Sequence, residues 1–340
     1  MRLIIFDWGD TVMRVFPASR GHMARWPQVE AVPGIADALA ALRPRYRLVL
    51  ATNAAESGEA LVRAALARVG LEERFDGVFT ARELGVRKPD PAFFQAVLER
   101  MACPPGQAAM VGDEYAADVA GAKAVGLRAV WFNPSGCWPV AHPLHDAEVH
   151  SLDALPAALE QLRLPDLPAC LALLAGQELP PEGVAHARAV ALHAFRLALA
   201  LRESGVALDP LLTHRGGLLH DLDKATCHRL GRAHGELAAD LLQALGHGDL
   251  AAIARRHLIS TILDPESAPQ SWEEKLVYYA DKVVDGDRLV GLEARIQALC
   301  RRYPHRAAQM RACRPAIADL EKEIEARLGA ALTAPAPGSR

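Results

Sequence analysis

The chain has 340 residues, more than one ordinary core accommodates at about 150 residues per domain. Hydrophobic residues make up 51% and charged residues 23%, and 38 Lys and Arg against 41 Asp and Glu leave a net charge of −3, which argues against a chain-wide nucleic-acid binder. No uninterrupted apolar run approaches the roughly 18 to 20 residues of a bilayer crossing, and the apolar start at Met1 is too short for a signal peptide, so the expectation is a cytoplasmic protein with no membrane partner. The six cysteines (Cys103, Cys137, Cys170, Cys227, Cys300 and Cys313) form no CxxC pair and read as buried reduced thiols.

Residues 1–163 alternate short apolar runs with helix-period stretches. Strands are expected at Leu3–Phe6, Arg47–Ala51, Gly77–Thr80, Ala108–Val111 and Arg128–Phe132, with helices at Gly34–Leu42, Gly58–Val69, Pro91–Met101 and Ala116–Val125. Continuously apolar strands fit burial on both faces, so the spacing predicts an α/β Rossmann-like parallel sheet sandwich, whose ligands bind beyond the carboxyl ends of the strands. Prolines at 165, 168, 180 and 181 mark a junction, with a linker and first helix over 164–180. From 181 to 330 apolar residues recur at helical spacing with no convincing strand, predicting an all-α domain, and 331–340 has the composition of a frayed tail. Eight of the thirteen histidines fall between 186 and 257, where even scatter puts about three.

In the first half Asp7, Asp10, Thr52, Lys88, Asp113 and Asp118 all fall at or just after the carboxyl ends of the expected strands or in the loops leaving them. Phosphoryl transfer through a covalent intermediate needs a carboxylate nucleophile, a divalent cation, donors for the phosphoryl oxygens and a fixed positive charge. Asp7, Asp113 for Mg²⁺, Thr52 and Lys88 fill these four places, and an all-oxygen ligand set favours Mg²⁺ over softer metals.

The segments Phe6-Asp7-Trp8-Gly9-Asp10-Thr11, Leu50-Ala51-Thr52-Asn53, Arg87-Lys88-Pro89-Asp90-Pro91 and Val111-Gly112-Asp113-Glu114 with Asp118, in this order, resemble the haloacid-dehalogenase-like (HAD) phosphohydrolases. The resemblance implies an aspartyl-phosphate phosphatase with Asp7 as nucleophile, Thr52, Asn53 and Lys88 at the substrate phosphate, and Asp7, Gly9, Asp113 and Asp118 around Mg²⁺. A dehalogenase fits these residues poorly. One position departs from the pattern. The family's general acid/base Asp stands two residues after the nucleophile, where this chain has Gly9, and Asp10 follows one residue later. Either the leaving group needs little help, or Asp10 takes the role, or this half has become a binding module. The short span between Thr11 and Thr52 leaves no room for the helical cap of many relatives.

The second half carries His186, then His220-Asp221-Leu222-Asp223-Lys224, His234, Arg255-Arg256-His257 and Tyr279-Ala280-Asp281. A helical bundle can aim imidazoles and carboxylates from separate helices at one point and hold a catalytic divalent metal. This pattern resembles the HD-domain metal-dependent phosphohydrolases, named for an adjacent His-Asp pair. The resemblance implies a first metal at His186, His220, Asp221 and Asp281, a second drawing on His234 and His257, and Lys224 on the substrate phosphate, while Asp223 stands where small residues are common. The ions expected are one or two of Fe, Mn, Mg or Ni, with metal hydroxide as nucleophile. His193 reads as a helix-surface or packing residue, and His214, His228 and His247 as solvated positions.

The combined expectation is a bifunctional phosphohydrolase acting on small phosphorylated metabolites or nucleotides, with no bearing on oligomeric state. The alternative is a regulatory phosphometabolite-binding protein in which the HAD half is degenerate and only the HD half is catalytic.

Overall fold

The computed structural model describes residues 1–138, 142–227 and 229–332; His228 and the expected tail from 333 onward lie outside them. The fold divides into two units, Met1–Val140 with Leu144–Leu162, and Ala141–Pro143 with Arg163–Arg340.

The first unit is a six-stranded parallel sheet of β1 (Leu3–Phe6), β2 (Arg47–Thr52), β3 (Gly77–Thr80), β4 (Ala108–Gly112), β5 (Arg128–Phe132) and β6 (Ala147–Val149), in the order β3-β2-β1-β4-β5-β6. Its helices are α1 (Ile35–Leu42), α2 (Glu59–Ala67), α3 (Ala81–Leu84), α4 (Pro91–Arg100), α5 (Gly121–Ala124) and α6 (Leu155–Glu160). Because side chains alternate across a strand, Ile4, Phe6, Leu48, Leu50 and Val111 build one core, while Leu3, Ile5, Val49, Ala51 and Met110 build the other. Both faces are buried, which is why the strands read as unbroken apolar runs. The edge strand β6 was not expected; at three residues it is too short to show a period. The stretch expected as helix from Ala116 is instead a π-helical turn over Tyr115–Ala120 leading into α5. Between Thr11 and α1 there is loop and a single 3₁₀ turn, Met23–Arg25, so no helical cap is present among these residues.

The second unit is helical: α7 (Leu167–Gly176), α8 (Pro181–Glu203), α9 (Pro210–Leu219), α10 (Glu236–Ala244), α11 (Gly248–Arg256), α12 (Trp272–Asp281), α13 (Leu292–Arg302) and α14 (Ala307–Leu328). By length and composition α8 could cross a membrane. It is however the core helix of this unit, burying Val190, Ala194, Leu197 and Leu201 and exposing Arg188 and Arg196. A Cβ on Gly217 of α9 would lie 2.5 Å from the Ala191 Cα, so the absence of a side chain lets α9 approach α8 closely. The expectation of no strand is corrected by a hairpin, β7 (Val284–Asp285) with β8 (Arg288–Leu289), turning at Gly286. Two-residue strands are below the length at which alternation is readable.

The cysteines are all free; Cys103, Cys170, Cys227 and Cys313 are buried as expected, whereas Cys137 is exposed and Cys300 half-buried.

Candidate functional sites

The first site forms where the strand order reverses. β1 pairs with β2 on one side and β4 on the other, Phe6 lying opposite Leu50 and Val111, so the residues after these strands converge on one end of the sheet. The Lys88 ammonium lies 2.5 Å from Asp7 Oδ1 and 2.6 Å from Asp118 Oδ1, and Lys88 is 2% exposed. Burial works against its charge, but the two carboxylates outweigh burial and raise its pKa. Gly112 is required here because a Cβ would fall 2.2 Å from Asp118 Oδ2. The π-helical turn brings Asp118 in, and its Oδ2 accepts from the Glu114 amide at 3.1 Å.

Thr11, quoted in the first motif without a role, donates to Asp113 Oδ1 at 2.9 Å. The Asn53 amide group is engaged at both ends by the Lys88 backbone, accepting from its N–H at 2.8 Å and donating to its carbonyl at 3.0 Å. It thereby fixes the loop that delivers the lysine. Thr52 is buried, and its hydroxyl oxygen accepts from the Ala54 amide at 3.1 Å.

One oxygen from each of Asp7, Asp113 and Asp118 lies within 4.8 Å of the others. Burial, reinforced by Asp7, lifts Asp113 to about 6, and burial lifts Asp118 against the pull of Lys88. Asp7 and Asp118 thus share one ammonium while Asp113 stands close to both without it, and this crowding of carboxylates is what a hard, oxygen-binding divalent ion relieves; the donor set fits Mg²⁺.

One oxygen of Asp10 is taken by the backbone of its own loop. The residue sits at φ 52°, the left-handed region, where its Oδ1 accepts from the Val15 amide at 2.9 Å. Asp10 is exposed, and with Asp113, Tyr115, Trp131 and Trp138 it lines a cavity of about 440 Å³. Gly9 has Val15 beside it: a Cβ there would lie 3.1 Å from Val15 Cγ2.

The second site draws His186 from α8 and Asp281 from α12, His220 and Asp221 from just after α9, His234 from just before α10 and His257 from just after α11. Three imidazoles hold their Nδ1 on a backbone carbonyl: His186 on Gly286 at 2.8 Å, His220 on Gly217 at 2.8 Å and His257 on Ala254 at 2.6 Å. A carbonyl only accepts, so in each ring Nδ1 carries the proton, and Nε2 of the neutral ring is a bare lone pair. These lone pairs face carboxylates. His186 Nε2 is 3.0 Å from Asp281 Oδ1, and His257 Nε2 is 3.3 Å from Asp221 Oδ1. His220 Nε2 is buried with no hydrogen-bond partner among the described residues, and burial lowers its pKa to about 3, keeping the ring neutral. A buried, neutral imidazole without such a partner, its Nε2 3.6 Å from Asp221 Oδ2 and 3.8 Å from Asp281 Oδ1, calls for a cation between them.

Two separate ligand groups result, His186, His220 and Asp281, and Asp221, His234 and His257, each with donor atoms within 4.8 Å of one another, and a third, Asp223 with Cys227 and His234, shares His234 with the second. His234 connects two carboxylates, with Nε2 2.9 Å from Asp221 Oδ1 and Nδ1 2.6 Å from Asp223 Oδ1. Burial opposes its charge, but the two hydrogen bonds prevail and raise its pKa to about 10, so a proton holds the place of a cation there. Mixed imidazole and carboxylate donors fit a first-row transition ion better than Mg²⁺.

Sequence reasoning missed several residues. Asp223 holds His234 and also accepts from the amides of Gly235 and Ala238 at the start of α10. Lys282 pairs with Asp281 and donates to the His257 carbonyl at 2.8 Å, while Arg295 reaches the Asp281 carbonyl at 3.2 Å and Asp285 at 2.6 Å. Lys282 had only its adjacency to Asp281 as a signal, and Arg295 none. Lys224 pairs with Asp221.

Of the histidines outside the site, His193 packs against the Tyr279 ring, with centroids 6.4 Å apart, and His247 is half-buried before α11. The expectation of a solvated His214 is corrected. Its ring is fully buried beside Arg215 and His142, because α9 is buried along most of its length.

The haloacid dehalogenase-like hydrolase family matches residues 6–126, and the HD domain family matches residues 183–284. An uncharacterized protein of Methanocaldococcus jannaschii is 36% identical over 121 residues, covering 32% of this chain and 70% of that protein. A ribulose-1,5-bisphosphate 5-phosphatase of Halopiger xanaduensis is 46% identical over 72 residues, 21% of this chain and 30% of the relative. A phosphoserine phosphatase of Thermus thermophilus is 39% identical over 117 residues, 34% of this chain and 43% of the relative. The chain therefore spans less than half the length of these two phosphatases.

Proposed function

For a chain that belongs to the haloacid dehalogenase-like hydrolases over residues 6–126 and carries an HD domain over 183–284, we propose a bifunctional phosphohydrolase with one hydrolytic site in each unit. The observation that carries this reading is the pair of chemically distinct ligand clusters, one of carboxylates alone and one of imidazoles with bare Nε2 atoms. The phosphatase names of two relatives support small phosphorylated substrates.

In the first site a bound Mg²⁺ supplies charge to screen Asp7 from the incoming phosphate. The Asp7 carboxylate attacks phosphorus in line with the departing alkoxide, forming an aspartyl-phosphate that water then cleaves. Lys88 holds Asp7 in position and adds positive charge for the phosphoryl oxygens, with the Thr52 hydroxyl donating to one of them. Asn53 acts through Lys88 by fixing its backbone. The proton for the leaving group falls to Asp10 through Oδ2, its Oδ1 remaining on the Val15 amide.

In the second site divalent ions supply Lewis acidity toward water and phosphate. His186, His220, His234, His257, Asp221 and Asp281 hold them, and the carbonyls of Gly286, Gly217 and Ala254 lock three imidazoles in the ligating tautomer. Lys224, on the cavity wall, meets the phosphate.

A second reading rests on the displaced acid: Gly9 and the backbone-bound Oδ1 of Asp10 favour a first unit that binds a phosphometabolite without turning it over. Turnover of an aryl phosphate by the full chain, with Mg²⁺ and then Mn²⁺, separates the readings. With both sites active, Asp7→Asn abolishes the Mg²⁺-dependent rate and spares the Mn²⁺-dependent one, and Asp281→Asn does the reverse. If Asp7→Asn leaves the Mg²⁺ rate untouched, the first unit is no hydrolase.

A further inference from the structure

The cavity above the second site, about 580 Å³, has a charge imbalance that its metal ligands do not explain. Its wall contains two carboxylates, Asp221 and Asp281, against six Lys or Arg side chains. Lys282 and Arg295 are buried and committed to Asp281, and Arg232 pairs with Asp240. The other three are exposed. Lys224 is exposed beside Asp221, Arg302 has only a 3.3 Å contact to Asp285, and Arg306 is exposed and makes no side-chain hydrogen bond or ion pair among the described residues. Arg302 ends α13 and Arg306 ends the 3₁₀ turn Pro304–Arg306 that leads into α14, so the corner between these helices forms a basic lip. Both residues lie beyond residue 284, where the HD family match stops.

Resting on the hydrolytic reading of this site, we propose that the lip selects a substrate with two or more linked phosphate groups. The reacting phosphate sits at the metal ligands on the cavity floor, which meet the charge of a monophosphate by themselves. Arg306, and Arg302 beyond its single contact to Asp285, are available to a substrate that continues outward with further anionic groups, and guanidinium is the side chain suited to grip them, through paired N–H···O bonds. A substrate with one phosphate would leave Arg306 unengaged and Arg302 on Asp285 alone.

The test uses the full chain carrying Asp7→Asn, loaded with excess Mn²⁺, and AMP, ADP and ATP as probes that differ only in phosphate number. The expected result is a kcat/KM for ADP or ATP at least about 10-fold above that for AMP, and a ratio near one in the Arg302→Ala, Arg306→Ala double variant. Equal values for the three nucleotides, or a double variant that keeps the ratio, overturn the proposal. Titration calorimetry of ATP and AMP into both proteins keeps the two readings apart. Without turnover of any nucleotide, an ATP preference that vanishes in the double variant sinks only the hydrolytic reading, and an absent preference sinks the lip.

Discussion

Asp223 Oδ1 lies 2.6 Å from His234 Nδ1, while Oδ2 of the same carboxylate accepts from two amides at the N-terminus of α10. One buried side chain thus orients a proposed metal ligand and anchors the helix that follows it. Asp223→Asn places an NH₂ group where only acceptors fit, so the metal held with His234 weakens by about 10–100-fold, with a stability loss of about 1 kcal/mol. Competition of the full chain against a metal indicator, with thermal unfolding alongside, measures both; unchanged affinity removes Asp223 from the site.

The two ligand groups predict two ions in the helical unit. His186, His220 and Asp281 form one group, and Asp221, His234 and His257 form the other. Elemental analysis of the full chain, purified without chelator and dialysed against Mg²⁺-free buffer, is expected to give near two transition ions per chain. The His234→Ala, His257→Ala double variant should give near one. The same count in both proteins would make the centre mononuclear.

Asp10 offers a sharper kinetic discriminator. As proton donor to the leaving group, its replacement by Asn slows hydrolysis of alkyl phosphates by about 10²-fold or more and of aryl phosphates far less, because a good leaving group departs without a proton. The Oδ1 bond to the Val15 amide survives in the amide variant, so loop structure is a constant. Equal slowing of both substrate types would confine Asp10 to shaping the loop.

The crowded carboxylates make stability depend on pH with a definite sign. Asp113, lifted by burial and by Asp7 to about 6, holds its proton in the folded state at a pH where the unfolded chain has released it. Metal-free protein therefore loses stability as pH rises from about 4 to 6 and stays at the lower level above that. Asp118, also raised, extends the same trend upward. Calorimetry with a chelator at pH 5 and 7.5 should show the first unit melting lower at pH 7.5. Asp113→Asn raises that melting temperature and abolishes its response to Mg²⁺; a variant less stable than its parent at pH 7.5 contradicts the charge-crowding account.

The alternation of apolar runs and helical stretches determined the parallel sheet, because strands buried on both faces must be apolar throughout, and the strand-end positions of Asp7, Thr52 and Asp113, with Lys88 on a loop beyond β3, followed from chain order alone. The six candidate ligands of the second unit were named through the resemblance to the HD-domain phosphohydrolases, and the structure brings their donor atoms into groups within 4.8 Å. Tertiary structure decided the rest. That Lys88 pairs with both Asp7 and Asp118 depends on the π-helical turn and on a glycine at 112, and no pattern of residue types encodes such a bend. The tautomers of His186, His220 and His257 were set by the carbonyls of Gly286, Gly217 and Ala254, and every residue has a carbonyl, so sequence cannot say which one faces a ring. His214 and Arg215 vanish into the interior for the same reason: polar residues are buried wherever packing supplies partners, and the partners, Pro143 and Pro165 among them, are distant along the chain.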